Sequence, residues 1–105
     1  MLASALRRRV EAAGGFVTVL ARGDETAGAM LLICHHRGAG AGAFERLLAP
    51  DGRYRLTRIG PPPGESLTDI EAYASNRRRN DPDLWLIEVD VADSERFAAE
   101  TIAAD

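Results

Sequence analysis

The chain has 105 residues, 46% of them hydrophobic and 28% charged, with a formal net charge of -3 at pH 7. That balance excludes intrinsic disorder and argues against a general nucleic-acid binder, and a chain of this length builds one core, so a single domain over residues 1–105 is expected. The longest apolar run, Ala29 to Cys34, is far short of the roughly 20 residues that cross a bilayer, and one cysteine rules out an internal disulfide and fits a reducing compartment.

Residues 2–13 read as a helix, with Leu2, Leu6, Val10 and Ala13 at helical spacing and Arg7, Arg8 and Glu11 on the other side. Gly14-Gly15 stops it. A β-rich run at 16–21 and a second at 27–35 flank the polar segment Arg22 to Thr26, a spacing that predicts a β-hairpin. The glycine-alanine stretch 37–42 reads as a flexible connector, 43–49 as a third strand, Pro50-Asp51-Gly52 as a turn and 54–59 as a fourth strand. After the Gly-Pro break at 60–64, Ser66 is placed to cap a helix, supported by Asp69. That helix carries Leu67, Ile70, Tyr73, Ala74 and Arg77 on one face and ends near Asn80, ahead of Asp81-Pro82. Residues 84–89 form the fifth strand, and Asp93 starts a last short helix with Phe97 and Ile102 inward. The expected fold class is therefore α+β, in the order α-β-β-β-β-α-β-α, with a five-stranded, mostly antiparallel sheet. The strands at 16–21, 29–34 and 84–89 are apolar on both faces and need cover on both sides, from helices or from a second copy.

The sequence offers few groups for chemistry. Cys34 and His36 share one face of a strand and His35 takes the other, so two ligands at most converge and no metal or cofactor is implied; a core cysteine with solvent-facing histidines is expected. Arg22-Gly23-Asp24 is a charged turn rather than an adhesion signal, and glycines 38, 40 and 42 lack the ending of a phosphate loop. Glu88 and Asp90 share a strand face, where ion pairs with Arg77, Arg78 or Arg79 are expected. Trp85 is expected to be buried behind a turn tied by carboxylates.

All 13 basic residues are arginine. GC-rich coding accounts for this without any ligand, whereas selection for bidentate anion recognition would have to show in their positions. Arg7-Arg8-Arg9 and Arg77-Arg78-Arg79 form two clusters, and they merge into one basic groove only if both helices lie on the same side of the sheet. The short apolar stretch before Arg7 reverses the order of a secretory signal, so a cytoplasmic setting is expected.

The sequence also resembles a family of bacterial proteins of about this length known only as a domain of unknown function. The shared segments are Leu6-Arg7-Arg8, Ala12-Ala13-Gly14, Arg22-Gly23-Asp24 with Ala27-Gly28, Asp51-Gly52, Tyr73 with its following arginines, and Asp81-Pro82-Asp83-Leu84-Trp85-Leu86-Ile87-Glu88. The likeness runs from about residue 5 to 97; the looser glycine-alanine stretch at 38–42 departs from it. It implies one compact domain in a bacterial cytoplasm and carries over no activity, cofactor or catalytic residue.

Three functions follow as expectations. The leading one is a non-enzymatic module that binds a protein partner or itself, with homodimerisation through an under-covered sheet face and Arg22, Asp24, Tyr73, Arg77, Asp81, Asp83 and Trp85 as the partner or ligand surface. The alternative is RNA, DNA or phosphate binding through a basic patch of Arg7, Arg8, Arg78 and Arg79. The third is a small-molecule enzyme in which Asp24, Asp81, Asp83 or Glu88 works against the arginines. None of the three involves a membrane.

Overall fold

Helix α1 (Leu2–Ala12) turns Ala3, Leu6 and Val10 inward, and the chain then enters strand β1 (Phe16–Ala21). The remaining elements are β2 (Met30–His36), β3 (Ala39–Leu48), β4 (Tyr54–Ile59), α2 (Leu67–Asn80), β5 (Trp85–Asp90) and α3 (Ser94–Ile102). This computed structural model describes residues 2–26 and 29–102; Ala27-Gly28, expected to open the second strand run, and the inward side chain of Leu2 lie outside the described residues. The element order is the expected one, and the fold is α+β.

The five strands form one sheet in the order β1-β5-β2-β3-β4. Pairings β1–β5, β2–β3 and β3–β4 are antiparallel, and β2–β5 is parallel. The expected hairpin between β1 and β2 is therefore wrong: β5 inserts between them. The local signal was two apolar runs around a polar turn, but the decisive pairing is long-range. β5, mostly buried along Trp85-Leu86-Ile87, takes the central position between β1 and β2.

Alternation on the strands splits the core into two layers. Leu32, Cys34, Phe44, Ile87 and Val89 pack with α1 and α3, while Leu31, Ile33, Ala41, Ala43 and Leu86 pack with Ile70 and Ala74 of α2. Helices thus cover both faces of β2 and β5, as their two-sided apolar pattern requires. β1 departs from that expectation. It is an edge strand with one buried face, and Phe16 and Leu20 remain 67% and 45% exposed on the other.

The glycine-alanine stretch is not a connector. A two-residue turn, Arg37 (φ 52°) and Gly38 (φ 85°), joins β2 to β3, and β3 starts at Ala39. Two successive left-handed residues make the primed turn whose twist matches an antiparallel hairpin. Between the pairs Cys34–Gly42 and His36–Ala39, β3 carries an extra residue, and Gly40 takes φ 64° there. Ala41 and Ala43 are small because they lie beneath α2.

Ser66 caps α2 as expected, its Oγ accepting from the Asp69 amide at 3.1 Å. The helix closes at Asp81, whose N–H donates to the carbonyl of Arg78. At the β3–β4 turn, Asp51 accepts from the Arg53 amide at 3.0 Å and from Arg55 at 2.7 Å. The Arg53 amide first, and then Arg55, hold that carboxyl below the usual carboxylate range.

Candidate functional site

Trp85, at the start of β5, is 2% exposed. Its indole N–H donates to the carbonyl of Asp24 at 2.9 Å, and the Asp24 amide donates to the carbonyl of Asp83 at 3.0 Å. Between these two bonds the backbone of Gly23 lies flat on residues 83–85: a Cβ there would fall 2.1 Å from the Asp83 carbonyl oxygen and 2.7 Å from the Trp85 ring. The preceding turn is tied as the sequence suggested, with the Asp81 carboxylate accepting from the Asp83 amide at 3.2 Å. Residues 22–24 are thus clamped onto the entry of β5 instead of forming a free hairpin tip.

This clamp positions Arg22. Its guanidinium lies 5.3 Å from the Trp85 ring centroid, and its carbonyl accepts from Arg78 Nη2 at 3.0 Å. On the other side, the α1 stripe that buries Ala3 and Leu6 leaves Ser4, Arg7 and Arg8 facing the same place. Together with Val19 they enclose a cleft of about 320 Å³ lined by Ala3, Ser4, Arg7, Arg8, Val19, Arg22 and Trp85. Among the described residues, three arginines line it and no acidic residue does. The nearest competitor is the Arg22–Glu25 ion pair at 3.3 Å, in which both side chains are largely exposed; such pairs are worth little.

The structure separates the rest of the expected site. α1 lies with α3 on one side of the sheet and α2 on the other, so the two arginine triplets do not merge into one groove. Arg9 turns away to Thr101 at 2.8 Å and lies over Phe97. Arg77 bridges Tyr73, at 3.2 Å, and Glu45 of β3, at 2.8 Å; these two hydrogen bonds raise the pKa of its guanidinium further. Arg79 bonds Asn76 on its own helix. Tyr73 and Arg77 therefore serve the α2–sheet contact, while Arg22, Asp24, Asp81, Asp83, Trp85 and Arg78 assemble around the clamp. The carboxylates expected to work together are occupied separately: Asp24 accepts from the Thr26 amide, Asp81 from the Asp83 amide, and Glu88 from a histidine.

That histidine is His35, and its environment was missed. It is 5% exposed rather than solvent-facing. Nε2 lies 2.9 Å from Glu88 Oε2, and Nδ1 accepts from the Gly38 amide at 2.9 Å. Asp90, also expected to pair with the arginines, instead accepts from the Arg37 amide at 2.8 Å. A backbone donor at Nδ1 leaves Nε2 as the protonated nitrogen, which donates to Glu88. The available signal was strand alternation, which puts His35 on the face of Ile33, beneath α2; the parallel register that brings Glu88 to it was not legible. Cys34, on the opposite face, is buried as expected, and burial, with Glu95 adding to it against Arg58, pushes its thiol pKa up to about 12. No group of three or more His, Cys, Asp or Glu able to hold a metal occurs among the described residues. A wider recess of about 480 Å³ beside α3 is lined by Asp93, Glu95 and Arg96 with His36, so charges of both signs mix there.

Among the described residues, no helix is long and apolar enough to cross a membrane. Among curated proteins, none matches the chain. Two structures of a DUF1491 family protein from Caulobacter crescentus CB15 are similar to it, each 34% identical with a TM-score of 0.75. The NMR structure aligns over 91% of this chain and 86% of that one, and the crystal structure at 1.87 Å over 90% and 88%. The solution structure of protein Atu0922 from A. tumefaciens is 31% identical, with a TM-score of 0.64, over 87% of this chain and 82% of that one. The family described as "Protein of unknown function (DUF1491)" matches residues 1–99, and the chain belongs to that family.

Proposed function

We propose that the protein is a single, non-enzymatic domain of the bacterial cytoplasm that works by association, and that its first partner is a second copy of itself joined through β1. The observation that carries this is the contrast between the two sheet edges. β4 carries Arg55 and Arg58, charges of the kind that keep an edge strand unpaired. β1, Phe-Val-Thr-Val-Leu-Ala, has no charge and is regular up to the one-residue register shift at Leu20, and α2 packs against β2, β3 and β5 while Phe16 and Leu20 stay bare.

Two β1 strands related by a twofold axis and centred on Thr18 would continue the sheet through both copies. Phe16 would then lie opposite Leu20 of the partner subunit, an isologous contact that uses the same patch twice. Cys34, free and buried, fits the reducing compartment in which such a dimer would work.

Sedimentation equilibrium over a concentration series tests this. A dimer is expected for the native chain and a monomer for Thr18→Lys and for Leu20→Glu. A native chain that stays monomeric into the millimolar range overturns the reading.

A further inference from the structure

We propose that the cleft between α1 and the end of β1 binds a small phosphorylated ligand, a phosphomonoester or diphosphate held by Arg7, Arg8 and Arg22. This site shares Val19 with β1 but opens on the α1 side of the sheet, the face opposite Phe16 and Leu20.

Three features support it. The first is uncompensated charge. Among the described residues, Arg7 and Arg8 form no ion pair and no acidic residue lines the cleft wall. Guanidinium groups gathered on one wall repel each other, and an anion between them relieves that repulsion. In a chain of net charge -3 this is a local concentration against the overall sign.

The second feature is preorganisation. Arg78 holds the Arg22 backbone at its carbonyl, and the Arg22 guanidinium, though largely exposed, lies over the Trp85 ring. Among the described residues its one ionic partner is Glu25, in an exposed pair that an incoming dianion can displace. Arginine's planar fork takes phosphate oxygens two at a time, so two or three forks suffice for one phosphoryl group. Ser4, one turn before Arg7 and Arg8, adds a hydroxyl at the same wall.

The third feature is size and surroundings. About 320 Å³ is at the small end of ligand pockets and suits a phosphoryl group with a small organic body against Val19 and Ala3. It does not suit a nucleic-acid strand. Arg9, Arg77 and Arg79 are turned to Thr101, Glu45 and Asn76, and Arg78 to the Arg22 carbonyl, so each of these neighbouring arginines is held by a protein partner. Trp85 is buried with its ring already covered by Arg22, so no base can stack on it.

The test is a titration of the full chain with inorganic pyrophosphate at low salt, followed by the amide resonances of residues 22–24 and the indole N–H of Trp85. A saturable shift is expected there. Arg8→Ala and Arg22→Ala should each weaken it about tenfold, the size of a lost charge-assisted hydrogen bond. Glu25→Gln should tighten it, and Arg79→Ala should leave it unchanged; these exposed positions let the variants keep the native amide spectrum, which is the control for folding. No saturable shift, or a shift that survives both cleft substitutions, overturns the proposal. So does a single-stranded RNA that binds more tightly than pyrophosphate and moves the 77–79 resonances.

Discussion

His35 and Glu88 meet across the parallel β2–β5 pair, ring nitrogen to carboxylate at 2.9 Å, with the Gly38 amide closing the other side of the imidazole. One side chain thus joins the centre of the sheet to the β2–β3 turn. Removing the acceptor leaves a buried N–H unsatisfied, at a cost of about 1–3 kcal/mol. Glu88→Ala should lose that much in urea denaturation, whereas Glu88→Gln, which keeps a carbonyl acceptor, should lose less than half of it. Nitrogen shifts of the His35 ring should show the proton on Nε2.

Arg37 holds φ 52° in that same turn, a conformation that non-glycine residues adopt at some cost. Asparagine tolerates it better and suits the first central position of a primed turn. Arg37→Asn should therefore stabilise the fold by about 0.5–1 kcal/mol, read as a higher melting temperature.

Gly23 makes the tightest backbone approach near the arginine cleft. Its Cβ position is filled by backbone and by the Trp85 ring, so neither side can yield cheaply. Gly23→Ala should cost about 1–3 kcal/mol and shift the Trp85 fluorescence spectrum as the clamp on residues 22–24 opens.

The Cys34 thiol, pushed up to about 12 from 9.0, should resist alkylation by iodoacetamide at pH 8 in the folded protein and react once urea is added. The sign of the pH dependence follows. The folded state favours the protonated thiol, so its contribution is complete below pH 9 and is lost as pH rises from there toward 12. Cys34→Ala should flatten that alkaline fall in stability.

Much of this architecture was legible because its signals are local. The Ser66 cap, the Asp81-Pro82 helix stop and the two-sided apolar pattern of β2 and β5 each follow from a few neighbouring residues. Trp85 could be placed in the core from the apolar run around it. The insertion of β5 between β1 and β2 could not be read, because alternation gives each strand its faces but not its neighbour. The same gap hid the His35–Glu88 contact, which exists only in the parallel register. The glycine-alanine stretch misled for a different reason: small residues signal flexibility in isolation but close packing beneath a helix. As for the arginines, the sequence showed two triplets, while the cleft takes two members of one triplet and adds Arg22 from the end of β1.

The place of β5 has a consequence for synthesis. As the chain leaves the ribosome from its N-terminus, β1 emerges early and then waits, with no strand to pair with, until residues 85–90 follow. β2 can close its hairpin with β3 at once but carries one open edge for the same interval. The seam that joins the two halves of the sheet is therefore completed only when the last strand arrives. Until residues 85–90 are available, the uncharged β1 is the segment left exposed to neighbouring nascent chains.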